Sequence, residues 1–157
     1  MNGTAVLSPG GQFRYTLSRR WGPGPCGLLW IMCNPSTADA QIPDPTITKC
    51  VGFARRWGFD GFHVVNLWAF RATYPRDLKA AGYPVGPDND AHIFAALCAS
   101  TLVVCAWGAN ARGHPRAAQV LQMVRDMRRE PMALEVLAGG VPAHPLMQPY
   151  ARTLAAL

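Results

Sequence analysis

Four predominantly apolar segments are spaced along the chain, with polar or glycine-containing stretches between them. They lie at residues 28–33, 62–67, 102–106 and 133–137. Strands that are buried on both faces of a sheet have continuous apolar sequences of this length, as in the parallel sheets of α/β proteins. The pattern therefore predicts four buried strands.

The segments between these runs have apolar residues at helical spacing. Asp44 and Pro45 form a start signal for a helix that ends at Gly58, since aspartate caps well and proline fits the first helical position. A second helix is predicted from Asp88 or Asn89, and its inward residues are Ile93, Phe94 and Leu97. A third covers residues 114–129, with Ala117, Val120, Leu121 and Val124 inward, and a short one is predicted for residues 148–157.

The order of elements predicts the fold class. Residues 5–7 and 13–17 flank a Ser8-Pro9-Gly10-Gly11 turn and form a β-hairpin. The rest alternates strand and helix, which is typical of a parallel sheet with helices on both faces. We predict one domain over residues 1–157, a three-layer α/β/α sandwich with a mainly parallel four-stranded sheet preceded by the hairpin. The polar loop at residues 71–87 is long for such a domain, and long loops are often functional.

Polar residues with unusual neighbours follow the predicted strands, where ligands bind in open α/β sheets. They are Asn34-Pro35-Ser36, Asn66, Trp107-Gly108-Ala109-Asn110 and Ala143-His144-Pro145-Leu146. Each also has a purely structural interpretation, because Asn34 can close a turn, Asn66 can bond a loop backbone, His144 can lie on a surface turn and Trp107 can pack in the core. Asp39 and Asp44 are candidate acids, although Asp44 also caps a helix.

Composition narrows the classes of function. The formal net charge of +6 and the pI of about 9.4 favour a polyanionic partner such as nucleic acid, although a solvated basic surface gives the same numbers. No apolar run reaches the roughly 18 residues of a membrane span, and no secretory signal is evident, so we expect a cytoplasmic protein. Phosphate-loop, dinucleotide-binding and serine-hydrolase motifs are missing from the sequence.

Cysteine and histidine spacing predicts neither a metal ion nor a cofactor. The five cysteines contain no C-x-x-C pair and lie in or beside apolar runs, so we expect reduced core residues. The four histidines have no spacing typical of metal ligands.

Short motifs spread over nearly the whole chain resemble a bacterial and phage domain-of-unknown-function family. These motifs are Arg14-Tyr15-x-Leu17-x-Arg19, Asn34-Pro35-Ser36-Thr37-Ala38-Asp39, Asp44-Pro45-Thr46, Val65-Asn66-Leu67, Arg71-Ala72, Ala106-Trp107-Gly108 and His144-Pro145-Leu146. The resemblance places the chain in a family but implies no activity.

A more distant resemblance connects residues 28–147 with the uracil-DNA glycosylase superfamily. Asn34-Pro35-Ser36 is similar to the water-activating loop of that superfamily, Asn66 to its base-reading asparagine, and Trp107-Gly108 to the end of its third strand. His144-Pro145 is similar to its last motif, which supplies an imidazole for the leaving base and an apolar wedge, here Leu146 or Met147. The position after Pro35 is serine, however, and the strong water-activating aspartate is absent, while the cysteines do not match the iron–sulfur branch.

The resemblance implies nucleic-acid base recognition with N-glycosidic hydrolysis, in the manner of base-flipping DNA-repair enzymes. Asn34 would position water, with Asp39 as a further catalytic candidate, Asn66 would read the base and His144 would stabilise the leaving group. Pro35, Ser36, Trp107, Gly108, Leu146 and Met147 would contact the substrate. We expect a monomer that binds DNA rather than RNA. The alternatives are a non-catalytic nucleic-acid or nucleotide-binding module and an enzyme for a free modified nucleotide.

Overall fold

A mixed sheet forms the centre of the computed structural model, which describes residues 1–36 and 44–157. The strands are β1 (Asn2–Leu7), β2 (Arg14–Arg20), β3 (Leu28–Met32), β4 (Gly61–Asn66), β5 (Leu102–Cys105), β6 (Pro131–Ala133), β7 (Val136–Leu137), β8 (Val141–Pro142) and β9 (Ala155–Ala156). In the described residues, seven of them form one sheet in the order β1-β2-β4-β3-β5-β6-β9, and β7 pairs with β8 separately.

The four central strands are parallel. β3 pairs with β4 on one side and with β5 on the other, and β5 pairs with β6. All five residues of β3 are buried, because helices cover both faces of the sheet. The predicted α/β class, with a parallel centre and an N-terminal hairpin, is confirmed.

The predicted count of four strands is wrong for the described sheet, because antiparallel strands extend both edges. On one side β2 pairs with β4, with Leu17 opposite Val64, so that the hairpin belongs to the sheet and does not merely precede it. On the other side β9 pairs with β6, with Ala155 opposite Ala133. Both additions give hydrogen-bond partners to backbone groups that an open edge leaves unpaired.

Helices cover the two faces unequally. They are α1 (Pro45–Arg56), α2 (Pro75–Ala80), α3 (Asn89–Ala99) and α4 (Pro115–Asp126). α1 packs on the face that contains Trp30, and the other three helices pack on the face that contains Leu29 and Ile31. The result is three layers. Within the described chain, no helix has both the length and the apolar character needed to cross a bilayer.

Several predicted elements differ from the structure. Residues 148–157 contain β9 instead of a helix, because the Leu157 amide donates to the Pro131 carbonyl and the tail pairs along the sheet edge. The predicted strand at 133–137 is divided between β6 and β7, and the long loop contains α2. Phe94 is 51% exposed, since the inward stripe of α3 is formed by Asn89, Ile93 and Leu97.

The cysteines lie in different environments. Cys50 and Cys105 are buried, whereas Cys26 and Cys33 are half-buried and Cys98 is exposed. All five are free thiols. The expectation of core cysteines therefore fails for Cys98, which lies on the outer side of α3.

Candidate functional site

A cavity of about 220 Å³ opens beyond the carboxyl ends of the parallel strands. The chain leaves β3 for β4 through α1 on one face and leaves β4 for β5 through α2 and α3 on the other. Because the connections diverge on the two sides of β3, their loops separate and leave a crevice at the strand ends. The fold thus places a cavity at the position where such sheets bind ligands.

The structure brings several of the predicted site residues together around this cavity. Asn34, Ser36, Asn66, Trp107 and His144 all line it, although more than a hundred positions separate the first from the last. Their convergence is a geometric fact, and their chemical roles remain predictions.

Other predicted site residues do not line the cavity. Pro35 is buried behind it, where its carbonyl accepts a hydrogen bond from the Ala72 amide. Leu146 and Met147 are 41% and 87% exposed on a one-turn 3₁₀ helix that follows His144. Asp39 lies outside the described residues.

Asn66 ends β4 with its side chain buried at the cavity wall. The described part of the chain supplies no hydrogen-bond partner to its side-chain amide. A carboxamide carries both donors and an acceptor, so Asn66 can offer each to a ligand.

Two side chains fix the backbone at the end of β4 through three hydrogen bonds. Asn89 Nδ2 donates to the carbonyls of Asn66, at 3.0 Å, and of Leu67, at 3.2 Å. Arg116 Nε donates to the Leu67 carbonyl at 2.8 Å, and its Nη2 forms an ion pair with Asp90 at 2.6 Å. Asn89 and Arg116 are buried. The position of Asn66 is therefore determined by α3 and α4 as well as by the sheet, which no local sequence signal indicated.

Asn34 holds the loop after β3. Its Nδ2 donates to the Ala72 carbonyl at 2.8 Å and to the Pro35 carbonyl at 3.1 Å. The amide nitrogen thus has the turn-closing role that the sequence left open. Its Oδ1 keeps acceptor capacity for a water molecule or a ligand.

His144 lines the cavity as the residue that begins the 3₁₀ turn. The Leu146 amide donates to His144 Nδ1 at 3.2 Å. Burial lowers the pKa of His144 below its ordinary value of 6.5, and the Asp44 carboxylate offsets part of that effect. The imidazole is accordingly neutral at pH 7, and because Nδ1 accepts, the ring proton is on Nε2, which acts as a donor.

Asp44 supplies a carboxylate to the same cavity. Its Oδ1 accepts from the Ile47 amide at 2.8 Å, which confirms the predicted helix cap. Its Oδ2 accepts from Ser36 Oγ at 2.5 Å. Since each carboxylate oxygen can accept more than one hydrogen bond, the cap leaves Asp44 able to bind a water molecule.

Sequence reasoning missed several cavity residues, of which Arg14 is the most informative. Arg14 is buried at the start of β2 and lines the cavity. An arginine between Phe13 and the apolar positions Tyr15 and Leu17 was a signal of a buried charge, but the hairpin was not expected to reach the site. The other missed residues with polar side chains are Thr46 and Thr73, whereas Asn110, which the sequence placed after the third strand, does line the cavity.

Gly108 allows β8 and the His144 segment to approach β5. Its φ of +74° and ψ of −176° lie in a region that is essentially restricted to glycine. Its amide donates to the Pro142 carbonyl at 2.9 Å, and a Cβ built on it would lie 3.0 Å from His144 Cβ. Trp107, immediately before it, is buried with an edge on the cavity.

No group of three or more histidine, cysteine, aspartate or glutamate side chains in residues 1–36 and 44–157 is placed to bind a metal ion. Searches with the chain found no significant match among curated proteins or among solved structures. The family described as "Protein of unknown function (DUF1643)" matches residues 14–146. This match covers most of the chain, and the protein therefore belongs to the DUF1643 family.

Proposed function

We propose that the cavity binds a nucleobase and that the protein hydrolyses the N-glycosidic bond that joins the base to its sugar. The observation that carries the proposal is the convergence of an uncommitted amide, a neutral imidazole and a carboxylate on one cavity: Asn66, His144 and Asp44. The motif order shared with uracil-DNA glycosylases supports the same assignment.

Asn66 reads the edge of the base. A base edge presents a donor beside an acceptor, and a carboxamide matches both. Because Asn66 is only 2% exposed and is fixed through Asn89, a base with the wrong pattern leaves buried polar groups unpaired. Unpaired buried groups are costly, so selectivity follows.

His144 stabilises the departing base. When the glycosidic bond breaks, its electron pair moves to the base, and negative charge develops on the ring and its carbonyl oxygen. The Nε2–H of a neutral, half-buried imidazole donates to that oxygen in a partly desolvated environment, where such a bond stabilises charge more effectively than in water.

Asp44 and Asn34 hold the attacking water. The Asp44 carboxylate accepts one proton of the water while the water oxygen forms a bond to the sugar C1′ carbon, and Asn34 Oδ1 orients the other proton. The carboxylate also stabilises the positive charge that develops on the sugar. The proton leaves Asp44 for solvent after the base departs.

The test is incubation with nucleosides and oligonucleotides that contain uracil or other modified bases, followed by detection of free base and of alkali-labile abasic sites. Asp44→Asn keeps a good helix cap, since asparagine caps as well as aspartate, but it should reduce turnover by about 10²-fold or more. Asp88→Asn is the matched control, because Asp88 also precedes a helix, makes no side-chain cap and does not line the cavity. Equal turnover in the two variants would contradict the role of Asp44.

A second candidate is a binding module without chemistry. It is favoured by one observation: the Asn34 amide holds a loop and the Asp44 carboxylate caps a helix, so both residues have structural reasons to be present. The same assay separates the candidates. If every base stays intact while Asn66→Ala abolishes nucleoside or oligonucleotide binding, the binding function stands and hydrolysis is excluded for those bases.

A further inference from the structure

A second hollow of about 240 Å³ adjoins the candidate cavity. Both spaces are lined by Cys33, Asn34, Pro75 and Asn110, so a ligand can extend from one into the other. The outer wall of the hollow is α2, which contributes Arg76 and Lys79, and Tyr83 lies beside them. Among the described residues, this lining contains two cations and no carboxylate.

The two cations have charge available for a ligand. Arg76 and Lys79 are three positions apart on α2 and therefore share a helix face, and both are exposed. Within the described chain, neither forms a hydrogen bond or an ion pair with another side chain or carbonyl. The Arg76 guanidinium lies 4.8 Å from the centre of the Tyr74 ring, a contact that restricts its movement without using its N–H donors.

A second basic cluster differs from the α2 cations in that two of its arginines bind the protein backbone. Arg125, Arg128 and Arg129 line a surface hollow beside the beginning of β6, at the opposite end of the sheet from the cavity. There Arg129 donates to the Leu97 and Cys98 carbonyls, and Arg125 donates to the Leu157 carbonyl. Glu130 lines the same hollow. Arg125 and Arg129 therefore already bind backbone carbonyls, whereas the two cations on α2 bind none in the described part of the chain.

We propose that Arg76 and Lys79 form a phosphate subsite that is continuous with the cavity. An arginine fork and a lysine point charge are the usual pair of groups that bind phosphate oxygens. The phosphate belongs to the nucleoside whose base occupies the cavity, either as the monoester of a free nucleotide or as the diester of a strand. The identity of the rest of the ligand rests on the proposed function, but phosphate binding does not.

Inorganic phosphate tests the subsite alone. Amide chemical shifts of ¹⁵N-labelled protein are followed in low-salt buffer while phosphate is added. We expect saturable shifts centred on Arg76, Lys79 and Asn110. Arg76→Gln/Lys79→Gln should weaken phosphate binding at least tenfold, whereas the control Arg125→Gln/Arg128→Gln removes the same charge and should leave it unchanged. Absence of saturable shifts on α2, or equal weakening by both double variants, overturns the proposal.

Nucleotides then identify the source of the phosphate. If a monoester is bound, a nucleoside 5′-monophosphate should bind at least tenfold tighter than its nucleoside, and Arg76→Gln/Lys79→Gln should remove the difference. If a strand is bound, the double variant should reduce the salt-dependence slope of single-stranded oligonucleotide binding by about 1.4, which corresponds to two lost contacts. If phosphate binds on α2 but no nucleoside binds in the cavity, the proposed function fails while the subsite survives.

Discussion

Gly108→Ala tests whether the close approach at the end of β5 sets the position of His144. The new side chain meets two obstacles. The backbone conformation of Gly108 costs about 1–3 kcal/mol for any other residue. The added Cβ would also lie 3.0 Å from His144 Cβ, so the imidazole segment must move outward by a few tenths of an ångström. We expect a loss of about 1–3 kcal/mol in the free energy of unfolding, together with a rise in the pKa of His144 as its burial decreases.

Urea unfolding followed by tryptophan fluorescence measures the first effect, and NMR titration of the His144 ring measures the second. Gly113→Ala is the control, because Gly113 also has a positive φ, of +72°, but a Cβ there has nothing within 4 Å. It should lower stability without changing the His144 pKa. If Gly108→Ala leaves that pKa unchanged, or if Gly113→Ala raises it equally, the coupling between Gly108 and His144 is refuted.

Two further predictions concern the support and the protonation of the site. Asn89→Ala removes the donor to the Asn66 carbonyl, and we expect the free energy of unfolding to fall by about 1 kcal/mol. This is the lower end of the range for a buried group left unpaired, because Asn89 Oδ1 has no hydrogen-bond partner in the described chain and its removal offsets part of the cost. Nucleoside affinity should fall in parallel, and unchanged urea stability and affinity would show that α3 does not position Asn66. For protonation, the folded-state pKa of His144 is lowered from 6.5, so below about that pH the unfolded chain takes up the proton first and stability declines as the pH falls. His144→Gln should flatten the plot of unfolding free energy against pH below pH 6.5 and not above it. If the plots for the variant and the unchanged protein are parallel, the lowered pKa of His144 is contradicted.

The centre of the fold was predictable because its physical signal is local. A strand buried on both faces needs a largely apolar run; residues 28–33 and 102–106 are unbroken, and residues 62–67 are interrupted only by His63 and Asn66. The same reasoning indicated the position of the candidate cavity, since a polar residue directly after such a run lies at the carboxyl end of a strand. The chemical character of a strand end can therefore be read from a few residues.

The edges of the sheet were not predictable in the same way. Pairing of β2 with β4 and of β9 with β6 depends on which edge is open after the core has formed, and that information is not in the local pattern. Arg14 was missed for this reason, because its place in the cavity follows from where the hairpin docks. The tail was predicted as a helix from a short segment, in which two paired residues were enough to make a strand.

The charges of the two adjoining spaces favour one orientation for a bound nucleotide. The inner cavity is lined by Arg14 and Asp44, whose formal charges cancel, and by the neutral His144. The outer hollow is lined by Arg76 and Lys79. A phosphate in the inner cavity would face the Asp44 carboxylate as well as Arg14, whereas in the outer hollow it faces two cations and, in the described residues, no carboxylate. On the proposed function the base therefore enters first and the phosphate stays outside, so a nucleoside without phosphate should bind in the same orientation and only more weakly.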